Sequence, residues 1–293
     1  MRILKNNDPG KVFRGIETGC MARSVLPKES DDMSNSIDSR AIISPKARLG
    51  NNVAIGPNTI VEDDVVIGDG TIIAANALLA DGTRVGANCR IYHGAVIGTV
   101  PQDLKFGGES TTLEIGDHTT VREYVTLNRG THDRKKTTIG SHCLIMSYAH
   151  VAHDCEVGNN VILSNAVNMA GHVTIEDHAI IGGLVPIHQF VRIGRHSMIG
   201  GGFRVTKDVP PYVLAGQEPL CFQGLNVVGL RRRNFREETL DNLEKAYEFI
   251  YKTGLNVSQA LMKIRSELPK SEEIGHVVDF IQDSQRGIIW RRR

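Results

Sequence analysis

From Ile43 onward an aliphatic residue returns at every sixth position: Ile43, Leu49, Ile55, Val61, Ile67, Ile73, Leu79, Val85, Ile91 and Ile97. The phase resumes at Ile115, Val121 and Leu127, then runs from Ile139 to Val205. Of the 28 positions in this register between 43 and 205, 25 are aliphatic, far more than composition alone would place there. A period of six fits neither a helix at 3.6 nor a plain strand at two. It fits a parallel β-solenoid in which one hexad forms each flat face and three hexads close a triangular coil. Each inward aliphatic residue then stacks on its equivalent one coil later, about 4.8 Å along the axis.

The positions around the aliphatic residue support this winding. The next residue is often Gly, as at Gly50, Gly56, Gly68, Gly86, Gly116, Gly140, Gly158 and Gly194, and Asn or Asp commonly follows. Both types tolerate the tight corners that such a coil needs. Two positions before the aliphatic residue stands a small one, including Cys89, Cys143 and Cys155, which read as core filler. The register fails at Asp103, Glu109 and Asp133. Those failures mark two loops, Pro101–Ser110 and Thr131–Lys136, that leave the coil and return in phase, as surface insertions on a solenoid do.

From about Gly224 the six-residue period gives way to helical spacing. Glu237–Tyr251, Val257–Leu268 and Glu272–Gln285 predict three helices separated by Gly254 and Pro269. The expected architecture is therefore mainly β. An extension covers residues 1–36, the β-helix 37–223, and a small α-helical domain 224–293 caps the coil's open strand edges. Residues 1–36 fit neither pattern and read as a disordered leader or as residues upstream of a start at Met21 or Met33.

Composition narrows the functional classes. Charged residues make up 23% and the net charge is +1, which excludes a disordered tail protein and a strongly basic nucleic-acid binder. No apolar run approaches the ~20 residues of a membrane-spanning helix, so a soluble, cytoplasmic protein is expected. The five cysteines lack CxxC spacing, which argues against a zinc–thiolate site and against a disulfide framework.

The candidate chemistry lies in imidazoles. His150, His153, His172 and His188 fall within little more than two coils. His150 and His153 flank the inward Val151 and point out of the core. His188 follows Ile187 on the same face, about 10 Å along the axis. Asp154 and His172 are one coil apart and should be neighbours. An imidazole suits general-base work near neutral pH, and an adjacent carboxylate orients it and stabilises its charged form. The leading assignment is His153 as base with Asp154 beside it.

Several segments carry a more specific resemblance: Pro101-Gln102-Asp103-Leu104-Lys105, Asn128-Arg129-Gly130-Thr131, Ala149 to Cys155, Leu184 to Phe190, Asp208 to Tyr212 and Gly224 to Arg233. In this order they resemble the UDP-N-acetylglucosamine O-acyltransferase family of hexapeptide-repeat, left-handed β-helix enzymes, over roughly residues 37–290. The resemblance implies a homotrimer that transfers a (3R)-3-hydroxyacyl group from acyl carrier protein to the glucosamine 3-OH of UDP-N-acetylglucosamine, the first step of lipid A biosynthesis. No cofactor or metal is implied. His153 takes the family's catalytic position, and the Gly171 N–H takes that of oxyanion donor. Asp103, Lys105, His150, His172, His188 and Gln189 would position the sugar and its phosphates. Asn226, Arg232 and Arg233 would hold the nucleotide, and Gly201 would limit the acyl chain, with a long chain expected because it has no side chain. Two departures stand out: Val228 replaces a family acidic residue, and Asn128 stands where His is common.

Other readings differ in their demands. The 3-amino analogue of the sugar would give an amide. The pathway's related N-acyltransferase carries an N-terminal domain that 1–36 is too short to supply. A γ-class zinc carbonic anhydrase would use three of the histidines as ligands, and a scaffold would use none.

Overall fold

The computed structural model describes residues 34–291. The leader expected over residues 1–36 therefore lies almost wholly outside the described residues, as do Arg292 and Arg293. Hexads wind as expected. Short strands such as Ile162–Leu163 form three parallel sheets, one of twelve strands and two of eight, and successive hexads visit the sheets in turn. Partners are one coil apart, as in Leu163↔Ile181 and Met169↔Ile187. The inward aliphatic residues from Ile55 to Val205 are almost without exposure and make one continuous core. The coil begins marginally before the expected boundary, because Ser36–Ile37 already pairs with Ala54–Ile55.

The two register breaks behave as loops. Ile97 pairs with Leu127 and Leu127 with Val151, so the first excursion adds twelve residues to a coil and the second adds six. Whole hexads have been inserted, which leaves the register of the following coils intact. The second loop ends one residue earlier than expected, since Lys136 opens the strand Lys136–Ile139.

The corners correct one expectation. Gly50, Gly56, Gly68, Gly86, Gly116, Gly140, Gly158 and Gly194 do not have positive φ. They are glycine because successive coils approach closely: a Cβ on Gly140 would lie 2.5 Å from the Gly158 carbonyl carbon, and one on Gly68 2.7 Å from the Gly86 oxygen. The left-handed position is three residues after the aliphatic one, at Asn52, Asn58, Asn76, Asn88 and Asn160, but also at His118, Tyr124, His142, Tyr148, Asp154, Ala166, His172 and Phe190. Asn, Asp and His tolerate that region better than most residues; Tyr124, Tyr148, Ala166 and Phe190 are held there by the ladder on either side.

After the last full coil, Val213–Gly216 continues the twelve-stranded sheet, and Cys221–Leu225 folds back antiparallel on it. The expected domain boundary at Gly224 thus falls inside a strand. A short helix α1 (Val227–Arg232) precedes α2 (Glu237–Tyr251), α3 (Val257–Glu267) and α4 (Glu272–Gln282), and Trp290–Arg291 adds a final strand beside Cys221–Leu225. The periodicity pointed to the three longer helices; α1 and the last strand are too short to show a period. The helices close the coil through Tyr247 Oη donating to the Pro211 carbonyl at 2.6 Å, the Arg195–Glu272 pair at 2.8 Å and His276 against Glu176 at 2.7 Å.

Candidate active site

The strand His150–Val151 pairs with Asn168–Met169, and the chain then turns at His153-Asp154 and at Gly171-His172. One-coil stacking puts these two corners against each other. His172 N–H donates to the His153 carbonyl at 3.0 Å. The His153 ring lies across Gly171 so closely that a Cβ there would sit 2.7 Å from Nε2. Gly171 is therefore required by the His153 imidazole of the preceding coil.

His153 Nδ1 is 2.8 Å from Asp154 Oδ2, and Asp154 is completely buried. An ionised carboxylate only accepts, so Nδ1 carries the proton and the Nε2 lone pair is free. Burial opposes ionisation of Asp154, yet hydrogen bonds from the Thr131 hydroxyl and from His153 overcome it and hold the carboxyl below its ordinary value. The pair has the parts of a base and its orienting group. At comparable corners, the amide that Gly171 presents is taken by a side-chain oxygen of the next coil, as with Asn51 N–H on Asp69 and Asn159 N–H on Asp177. Above Gly171 stands Gln189, and among the described residues the Gly171 N–H has no such acceptor.

His172 completes the cluster. Its Nε2 is 3.6 Å from Asp154 Oδ2 and 3.7 Å from Asp133 Oδ2, and its ring stacks on Phe190 at 4.7 Å. Burial pushes the His172 imidazole down, against the pull of Asp154. His150 faces outward on the preceding strand and shares a 2.7 Å hydrogen bond with the Thr126 hydroxyl; burial lowers it, with the neighbouring His153 acting in the same direction.

The remaining expected residues are spread more widely. Gln189 is stacked on Gly171 and half-buried, whereas His188 is exposed with Nδ1 against the Gln189 carbonyl. Asp103 and Lys105 lie on the first loop, where Asp103 Oδ1 accepts the Lys105 N–H. That loop is anchored at its root by Asn128, whose amide donates to Thr99 and Val100, and through Glu109 to the His132 N–H of the second loop. Asn128 thus has a structural task at the root of the first loop.

Asn226 departs from expectation. Its Oδ1 accepts the Gly229 N–H as the cap of α1, and its Nδ2 donates to the His196 carbonyl. The side chain is committed to joining coil and helix, a task set by the unpaired amides of a helix start. Arg232 is exposed and Arg233 half-buried beside His178 and His196, on the corner that leads out of one eight-stranded sheet. His153 occupies the corner leading into that sheet. A whole face, about 15–20 Å wide, separates them. Gly201 lies on the third corner, and Val228 is exposed on α1.

Sequence reading missed Thr131, Arg134, Asp133, Thr126 and Phe190. The register break at Asp133 marked the second loop but not that it folds onto the dyad. A surface cleft of about 360 Å³ lies elsewhere, between Cys221–Leu225 and α2, and shares no lining residue with this cluster. His153, Asp154 and His172 bring one potential metal-ligand atom each within 4.8 Å. The Asp154 oxygens, however, already accept four hydrogen bonds, from Thr131 N–H, Thr131 Oγ–H, Arg134 N–H and His153. That arrangement suits a dyad better than a ligand set.

Comparison with known proteins decides the family. The domain-2 model of UDP N-acetylglucosamine O-acyltransferase matches residues 208–289, and the bacterial transferase hexapeptide model matches 46–81 and 136–171. The acyl-[acyl-carrier-protein]–UDP-N-acetylglucosamine O-acyltransferase of Chlorobium phaeobacteroides is 61% identical over 254 residues, 86% of this chain and 96% of its own. That of Sulfurihydrogenibium sp. is 56% identical over 253 residues, 86% of this chain and 93% of its own. This chain belongs to the UDP-N-acetylglucosamine O-acyltransferase family. Within the family, the Bacteroides fragilis crystal structure superposes with a TM-score of 0.85 at 49% identity, covering 86% of this chain and 99% of that one. The coil is the family's left-handed β-helix. Membership also sets aside the carbonic anhydrase and scaffold readings. None of the described helices is long and apolar enough to cross a membrane.

Proposed function

We propose that this protein transfers a (3R)-3-hydroxyacyl group from acyl carrier protein to the 3-OH of UDP-N-acetylglucosamine, the first step of lipid A biosynthesis. The observation that carries the reading is the buried Asp154 carboxylate 2.8 Å from His153 Nδ1, with Nε2 free above Gly171, in a chain of this family.

His153 Nε2 takes the proton of the sugar hydroxyl as its oxygen attacks the thioester carbonyl. The imidazolium is stabilised by Asp154, and the oxyanion of the tetrahedral intermediate accepts the Gly171 N–H. Collapse breaks the carbon–sulfur bond, and the departing thiolate takes the proton back from His153. An oxyanion donor of this kind contributes about 3–4 kcal/mol to the transition state. His150, His172, His188 and Gln189 position the sugar, and Asp103 and Lys105 reach it from the first loop. Arg232 and Arg233 hold the phosphates, for which guanidinium geometry is suited, while Asn226 sets the start of the helix that presents them.

The subunit works as a homotrimer with its clefts between neighbours. Support comes from the corner geometry, because dyad, arginines and Gly201 occupy three different edges of one prism and cannot meet within a single chain. The absence of a side chain at Gly201 leaves the acyl groove long, for chains of about twelve carbons or more. The protein operates in the cytoplasm, where the carrier thioester is available.

The test is mass spectrometry of products from a mixed pool of acyl-carrier thioesters with each UDP-sugar. An ester on UDP-N-acetylglucosamine is expected, and its yield should fall about 10²–10⁴-fold in His153→Ala. A preferred amide product on the 3-amino sugar, or full activity in His153→Ala, contradicts the reading.

A further inference from the structure

The Asp154 carboxylate lies between two imidazoles, with Oδ2 2.8 Å from His153 Nδ1 and 3.6 Å from His172 Nε2. The torsion that turns a carboxylate is broad, so the Asp side chain alone does not choose between them. The choice is made from outside the coil. Thr131, on the second loop, donates its N–H to Oδ1 at 2.9 Å and its hydroxyl to Oδ2 at 2.7 Å, gripping both oxygens at once. The hydroxyl proton is itself directed, because the Asp133 N–H donates to Thr131 Oγ1 at 3.3 Å and leaves the proton for Asp154. The loop closes on itself through the Lys135 N–H and the Thr131 carbonyl at 2.9 Å, and the Arg134 N–H adds a contact of 3.3 Å to Oδ1. Thr131 is 3% exposed.

We propose that Thr131 is a positioning residue for acyl transfer: its hydroxyl and backbone N–H hold the Asp154 carboxylate in the plane that serves His153 rather than His172. The proposal rests on His153 being the base. It assigns the six-residue excursion a task in the reaction: it returns in register and lays one threonine over the fully buried Asp154 carboxylate. Thr131 acts through Asp154 and does not touch the reacting atoms.

Steady-state kinetics with an acyl-carrier thioester and UDP-N-acetylglucosamine test it. Thr131→Val keeps the shape and removes the donor. It should lower kcat about 10–100-fold with both KM values within about twofold of wild type, and Thr131→Ser should restore most of that loss. In an Asp154→Asn background, Thr131→Val should add less than about a twofold effect, because the pathway through the carboxylate is already gone. Should the valine variant fail to fold by circular dichroism, Thr131→Cys keeps a small side chain with a weak donor and should lose about 3–10-fold. Wild-type kcat in Thr131→Val or Thr131→Cys, or the full loss repeated on top of Asp154→Asn, overturns the proposal. His153→Ala separates the two levels: if it stays active, the base assignment falls; if it is inactive while the Thr131 variants are normal, only the positioning role falls.

Discussion

Asp154 and His172 share a left-handed backbone conformation, φ +58° and +59°, which Asp and His adopt more readily than most side chains but still at a cost. In this β-helix the parallel ladder imposes that conformation at most corners, so an Asn-type position can be given to a functional residue at a cost of about 1–2 kcal/mol. The same corner column on another edge carries His178, His196 and Tyr212, stacked at 4.6 and 5.7 Å. Burial there pushes the His196 imidazole down to about 3, with His178, Arg233 and Arg195 adding to the effect and Asp177 opposing it. The unfolded chain binds that proton near 6.5. Between these values the unfolded state holds more protons, so stability is full above about 6.5 and falls as pH drops towards 3. His196→Asn, which keeps a residue tolerant of φ +57°, should flatten that loss. The check is the thermal midpoint at pH 7.5 and 4.5: the wild type should drop by several degrees more than the variant.

At the scale of the element, a hexad makes two different demands on small residues, and sequence alone merges them. Close approach of coils demands glycine just after the aliphatic position, while the left-handed corner two residues later demands only tolerance of φ. Opposite substitutions separate them. Gly140→Ala puts a methyl 2.5 Å from the Gly158 backbone and should destabilise by about 1–3 kcal/mol. Ala166→Gly, at φ +56°, relieves a strained corner and should be neutral to stabilising by up to about 1 kcal/mol. Half-lives of thermal inactivation should therefore shorten for the first variant and hold or lengthen for the second.

For the whole molecule, the placement of the dyad and the arginines on different edges, taken with the proposed homotrimer, makes a prediction. Subunits carrying His153→Ala and subunits carrying Arg232→Ala with Arg233→Ala should each assemble into inactive trimers. Co-expressed, they should regain activity, because some clefts then combine an intact dyad with intact arginines. Recovery of about a fifth to a third of wild-type kcat in purified mixed trimers is expected from random assembly of three subunits. Mixed trimers as inactive as either parent would place both groups in one chain's own site.

The sequence by itself determined the winding into coils of three hexads, because a six-residue period of buried aliphatics stacks each inward position on its equivalent one coil later. It also determined that His153, Asp154 and His172 would meet, since stacking one coil apart follows from the period. Only the tertiary structure decided what surrounds them. The second loop obeys no period, so nothing in its spacing announced that Thr131 grips Asp154 or that Asp133 faces His172. The commitment of Asn226 to a helix cap was equally hidden, because it depends on where the last coil ends and on a helix too short to leave a hydrophobic pattern. Repetition makes a solenoid readable residue by residue; the departures from repetition, where side chains meet across inserted loops, are fixed only by packing in three dimensions.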